Sequence, residues 1–162
     1  MTEANLSDSQ NGSQPLVSMH WNREDASKYL HIHEDLLTVT YVGPGARDFD
    51  SASLRTNHPI RSEMGIGYFE INIIDDSRWR GGLGIIGIGL GKRQTPIRQI
   101  PGWFHNRYDT IGYHGDDGLK FRKSDFGEFY VGATYGTGDV IGCGINYIDR
   151  SVFFTKNGIN LG

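Results

Sequence analysis

Histidines, carboxylates, glycine-rich runs and one thiol supply the only groupings in this sequence that could perform chemistry. His114-Gly115-Asp116-Asp117-Gly118 sets a base beside two carboxylates, the ingredients of acid–base catalysis or of a calcium loop. A calcium loop alternates oxygen ligands over about twelve residues, and that alternation is missing here. The flanking glycines predict a tight loop whose aspartates cap their own backbone turns. His31-Ile32-His33-Glu34 would place two imidazoles on one face of a strand. Structural or catalytic zinc needs three or four ligands, and no others lie nearby in sequence, so a surface strand is expected.

Gly82-Leu83-Gly84-Ile85-Ile86-Gly87 matches the dinucleotide fingerprint in form. The pyrophosphate in that motif rests on a helix N-terminus, whereas Gly87-Ile88-Gly89-Leu90-Gly91 continues as a glycine-rich strand. Gly91-Lys92 is no phosphate loop, because Ile86 stands where the first glycine belongs and Arg93 follows the lysine. Cys143 lies in an apolar strand, where a thiol acts as a small hydrophobe. No Gly-x-Ser-x-Gly elbow occurs. These residues predict neither an enzyme nor a cofactor or metal site.

The elements that must hold such residues read as short strands. Period-2 or apolar patches cover Leu36–Tyr41, Tyr68–Ile74, Leu83–Leu90, Ala133–Tyr135, Val140–Tyr147 and Ser151–Thr155. In the second patch Phe69, Ile71 and Ile73 share one face, and Tyr68, Glu70, Asn72 and Ile74 the other. That split is what a half-buried strand requires. Trp21 to Ala26 reads as a turn or helical start. Asn157-Gly158 is the strongest hairpin signal, because a type I′ turn needs positive φ at both positions, and the return strand begins at Ile159. Only about four residues remain for that strand, so the fold is expected to be short of its C-terminal strands.

The chain of 162 residues with 23 glycines and one cysteine suits a single all-β domain without disulfides. Residues 1–17 are polar and predict a disordered tail, leaving 18–162 as the domain. The tail has no basic and apolar leader, so its two glycosylation sequons, at Asn5 and Asn11, are read as chance. A net charge of −3 offers no basic field for nucleic acid. Apolar runs fall short of the ~18 residues of a membrane span.

Aromatic residues in loops point to recognition. Trp79 stands among Asp75, Asp76, Ser77, Arg78 and Arg80, and Trp103 and Phe104 follow Pro101-Gly102. Such a ring can fold back as a lid, yet Trp, Tyr and Arg on loops of a rigid sandwich are also what protein hot spots use.

Several runs carry a family resemblance: Ser53 to Ile60, Gly67-Tyr68-Phe69-Glu70, Ile100-Pro101-Gly102-Trp103, Gly112 to Gly118, Thr137 to Cys143 and Phe154 to Gly158. Together they resemble the SPRY (B30.2-like) domains of Ran-binding protein M-type scaffolds, over roughly residues 19–162. The resemblance implies a bent antiparallel β-sandwich of the concanavalin-like jelly-roll kind. It implies a non-catalytic module that binds peptides or protein surfaces through edge loops. Those loops would be Val42 to Arg47, with Gly43, Pro44, Gly45 and Arg47 as contacts, then Asp76 to Trp79, with Asp76, Arg78 and Trp79, then Pro101-Gly102-Trp103. The basic insertion Ser77 to Arg80 departs from the family pattern. The resemblance also implies a ubiquitin-ligase (GID/CTLH-type) setting for a full-length parent, in the cytoplasm and also in the nucleus. The LisH and CTLH segments of such scaffolds are absent from this sequence. The rival readings are a lectin-like sandwich, since aromatic loops with aspartates also stack sugars, and a truncated paralogue without binding of its own.

Overall fold

The computed structural model describes residues 19–45, 50–76, 85–103, 109–122 and 132–162. The expected disordered tail, and the first half of the Leu83–Leu90 patch, lie outside or at the margin of these residues. Strands run β1 (Leu30–Ile32), β2 (Val39–Tyr41), β3 (Ile66–Asn72), β4 (Gly87–Gly91), β5 (Thr110–His114), β6 (Lys120–Phe121), β7 (Val140–Asn146), β8 (Ser151–Lys156) and β9 (Ile159–Asn160). Two 3-10 turns span three residues each, Arg23–Asp25 and Ser62–Met64. The first is capped by the Asn22 side chain, which accepts from the Glu24 N–H. None of these helices is long and apolar enough to cross a membrane.

Every strand pair among the described residues is antiparallel. One sheet has the order β3-β7-β8-β9, a second β4-β5-β6, and β1 and β2 form a separate ribbon. The first two sheets close on one another over Ile88 and Tyr113 from one side and Ile141, Cys143 and Phe154 from the other. Tyr113 and Phe154 meet across this interior with ring centroids 5.6 Å apart. Each such fully buried side chain contributes about 1.5–3 kcal/mol of transfer free energy. This is the all-β antiparallel sandwich that the strand pattern and the family resemblance imply.

The phase of β3 agrees with the sequence. Phe69 and Ile71 pack against the core and Ile73 is 4% exposed, whereas Ile74 is 50% exposed. On its other face Tyr68 stacks with Phe153 at 5.9 Å and an interplanar angle of 8°. The two rings lie across Gly144, the residue between them in register. A side chain there would collide with the Phe153 ring.

The hairpin at Asn157 (φ 51°) and Gly158 (φ 78°) has the positive φ angles that its sequence demands, and β9 returns from it. Asn157 also binds outward. Its Oδ1 accepts from Val140 N–H at 2.9 Å and its Nδ2 donates to Asp139 at 2.9 Å. Lys156 pairs with the same carboxylate at 3.1 Å.

Three expectations need correction. The first half of Leu36–Tyr41 is a turn, because Leu36 adopts φ 60° and Asp35 accepts hydrogen bonds from Leu37 and Thr38. Those bonds, the Thr38 hydroxyl's first, hold the Asp35 carboxyl down at about 2. Ala133–Tyr135 is irregular backbone. Tyr135 is buried there because its hydroxyl donates to Ile86 O and Tyr113 O, at 2.7 and 2.8 Å. Finally, His114 is the last residue of β5 and is buried, while the turn begins only after it.

Candidate functional site

The Gly43–Gly45 loop grows directly out of β2. Tyr41 turns back over it: the Gly45 N–H donates to the Tyr41 hydroxyl at 3.1 Å, and that hydroxyl donates to Asp50 O at 2.8 Å. The Tyr29 ring meets Tyr41 edge-on at 6.3 Å. A side chain on Gly43 would strike both rings, so this loop can close only on glycine. The outer side stays open. Tyr41 is 41% and Val42 60% exposed, and Pro44 is exposed beside them.

From Asp50 the chain runs beside the segment leading to the next predicted loop. Ser51 Oγ donates to Arg98 O at 2.9 Å, the Ser53 N–H donates to Ile97 O at 2.8 Å, and the Ser53 hydroxyl donates to Gln99 O. Hydrogen bonds thus tie Gly45 through Tyr41 to Asp50, and the stretch of chain after Asp50 to Ile97, Arg98 and Gln99, just before Pro101.

Trp103 has a different fate. Gly102 adopts φ 82° and its N–H donates to Thr110 Oγ1 at 2.9 Å. This turn lays the indole flat on His114 and Phe121, at centroid distances of 5.6 and 5.9 Å. His114 itself stacks on Phe121 at 4.1 Å. Pro101 O can only accept, so His114 Nε2 carries the hydrogen and donates to it at 2.8 Å. Burial pushes the imidazole below its ordinary value, partly offset by the Pro101 bond and by Asp117 and Asp116. Trp103 is thus a half-buried lid on the outer face of the β4-β5-β6 sheet.

Asp76 is buried and its N–H donates to Thr137 Oγ1 at 3.0 Å. Arg47, Arg78 and Trp79 lie outside the described residues. Val42 was named with this loop by the family resemblance, whereas Tyr41 and Tyr29, whose rings brace it, were not singled out for the candidate site. Tyr41 and Val42 end an apolar run just before Gly-Pro-Gly, and that abrupt change was the available signal.

The chemical candidates resolve structurally. Asp117 caps its own turn by accepting from Leu119 N–H at 2.8 Å. His31 and His33 share a strand face with rings 4.9 Å apart, and His33 bonds Thr40. No group of three or more metal-ligating side chains occurs among the described residues. Cys143 is fully buried, and burial pushes its thiol far above the usual range. A thiol in that state is no nucleophile.

The chain is similar to a Ran-binding proteins 9/10 homologue of Drosophila melanogaster, 41% identical over 94% of this chain and 15% of the relative. It is 44% identical to Ran-binding protein 9 of Xenopus laevis over 88% of the chain and 24% of the relative. The Ran-binding protein M homologue of Arabidopsis thaliana is 36% identical over 85% of the chain and 28% of the relative. The chain therefore spans about a quarter or less of the length of most of these relatives. A crystal structure of a human SPRY domain superposes with a TM-score of 0.62 at 29% identity, covering 83% of this chain and 78% of that one. Such relatives support a protein-interaction module. Residues 66–162 match the family described as SPRY domain, and the two antiparallel sheets built from them are that family's sandwich, so the chain belongs to the SPRY domain family.

Proposed function

We propose that this chain is a docking module that binds a short segment or surface patch of a partner protein and performs no chemistry of its own. The observation that carries this reading is the exposed Tyr41–Val42–Pro44 patch, pinned by the Tyr41–Asp50 bond, with Ser51 beyond it bonded to Arg98. A rigid sandwich carrying an apolar loop patch suits partner recognition, with the affinity concentrated in a few aromatic and aliphatic contacts. Gly43, Pro44, Gly45 and Pro101 form the centre of the surface. Arg47, Asp76, Arg78, Trp79, Gly102 and Trp103 extend or support it, as the family resemblance implies.

The curated relatives are named for binding Ran, and a protein partner is the natural class for this chain. In a longer parent the module would recruit substrates or subunits for a GID/CTLH-type ubiquitin ligase, in the cytoplasm and in the nucleus. The support for that setting is the resemblance to Ran-binding protein M-type scaffolds. Neither nucleic acid nor membrane is a partner in this reading, given the net charge of −3.

The test is affinity capture from a lysate with mass-spectrometric identification, comparing the natural chain with Val42→Asp and with Ile148→Asp. Ile148 is 81% exposed beside Gly65, near the β7–β8 turn. Partners lost with Val42→Asp and kept with Ile148→Asp support the loop patch. Equal capture by all three removes it.

A further inference from the structure

Between Ser53–Arg55, the end of β4, residues 95–101 and the start of β5 lies a half-open cleft of about 70 Å³. Its wall is largely apolar: Leu54, Leu90, Pro96, Ile97 and Pro101 line it, and all five are half-buried. A water molecule needs roughly 10–15 Å³ of such space, so the cleft has room for the four carbons of a leucine or isoleucine side chain.

The rim carries the sign opposite to that of the whole molecule. From Gly91 to Pro101 the chain has three cations, Lys92, Arg93 and Arg98, and no carboxylate, in a protein of net charge −3. All three side chains are exposed. Arg93 and Arg98 have no carboxylate partner among the described residues. Lys92 pairs with Asp109 at 2.6 Å, but half or more of each side chain is in water. Such a pair is weak and gives way readily to another carboxylate.

The backbone beneath these cations is firmly held. Arg55, anchored on Asp25, donates through Nη1 to the carbonyls of Lys92, Arg93 and Thr95. The Thr95 N–H closes that turn onto Lys92 O at 3.0 Å. On the far side, Ile97 O accepts from the Ser53 N–H and Arg98 O from Ser51 Oγ. Cations therefore stand before and after Pro96-Ile97 on a preorganised segment, which lowers the ordering cost of binding.

An apolar cleft alone names no ligand, but the charge of its rim does. The geometry points to an acidic protein segment as the occupant. One aliphatic side chain enters the cleft, and carboxylates on either side of it meet Arg93 and Arg98. The cleft shares Pro101 with the proposed docking surface, but Tyr41, Val42 and Pro44 do not line it. The inference rests on the docking reading only in taking a protein segment as the ligand.

A titration of the natural chain, followed by methyl and amide NMR with acetyl-Glu-Glu-Leu-Glu-Glu-amide as the probe, tests it. Shifts are expected in Leu54, Leu90 and Ile97, and binding should weaken as salt rises from about 0.01 to about 0.15 M. Affinity should fall about fivefold when glutamines replace the peptide's glutamates, when serine replaces its leucine, and when Arg93→Gln and Arg98→Gln are combined. Both arginines are exposed, so the double variant keeps its fold. Equal affinity for either altered peptide, or for the double variant, overturns the inference. So does the absence of any shift at millimolar probe, while lysate capture with Val42→Asp still decides the docking reading separately. Shifts centred on Tyr41 and Val42 would put the peptide on that patch, overturning the cleft assignment and leaving the docking reading intact.

Discussion

Two aromatic loops of this domain look alike as sequence and behave oppositely as structure. Val42-Gly43-Pro44-Gly45 follows Tyr41, and Pro101-Gly102 precedes Trp103, so each joins glycine and proline to a large ring. In the first loop the Tyr41 hydroxyl is tied to backbone while much of the side chain, with Val42, remains in water. In the second the ring is laid on His114 and Phe121 and the backbone is tied through Gly102 to Thr110. The difference lies in what each loop finds beneath it. β5 offers Thr110, Gly112 and His114 on its outward face, and the small and flat groups there form a seat for an indole. The ribbon β1-β2 offers no such seat, so its ring edge stays available to a partner.

The sharpest way to break this contrast is Trp103→Ala. A stacked, half-buried indole should cost about 2–4 kcal/mol on removal, read in a denaturant melt; a loss below about 0.5 kcal/mol would make Trp103 a free recognition residue after all. Next comes Phe69→Ala, a reference for the core proper. Its ring is only partly buried, so about 2–3 kcal/mol is expected, and a change below about 1 kcal/mol would mean that the strand phase is wrong.

A smaller effect concerns His114. The folded imidazole sits below its ordinary value while the unfolded one titrates near 6.5. Between those values the unfolded chain binds more protons. Stability is therefore complete above about pH 6.5 and declines as pH falls through the folded value. His114→Gln keeps a donor for Pro101 O and cannot titrate, so its melting temperature should fall less between pH 7.5 and 5.0 than that of the natural chain. Identical slopes would remove His114 from the acid response. The smallest stability effect is expected for Val42→Asp, within about 0.5 kcal/mol as at ordinary surface positions, although partner capture should disappear. A large loss of stability there would erase the distinction between the two loops.

These contrasts also show which parts of the fold were legible. β3, β7, β8 and the Asn157-Gly158 hairpin were read correctly because each has one buried face and a turn whose chemistry is local. β5 and β6 escaped because Gly112, His114 and Phe121 are covered on the side that would ordinarily face water, so the alternation is lost. Tyr135 mimicked a strand residue, but three-dimensional hydroxyl contacts to Ile86 and Tyr113 bury it. For the candidate site, the Gly-Pro-Gly loop was pointed out by the family resemblance and not by its residue types. The orientation of its neighbouring rings was not legible, since it depends on what the sheet presents from residues far along the chain.

The glycines of β7 have a last consequence, concerning alignment. Tyr68 and Glu70 sit opposite Gly144 and Gly142, and Phe153 and Thr155 sit opposite the same pair. A shift of β3 or β8 by two residues would place a ring over the other glycine, with apolar groups still directed inward, so sterics alone poorly distinguish the two alignments. What distinguishes them lies at the strand ends: the Ile73 N–H donating to Asp139 O at 2.9 Å, the Gly138 N–H donating to Ile73 O at 2.8 Å, and the Asn157 side chain spanning Asp139 and Val140. Loosening those ends should yield two coexisting, compact, sheet-rich populations that cross-strand nuclear Overhauser contacts can separate, in place of simple unfolding.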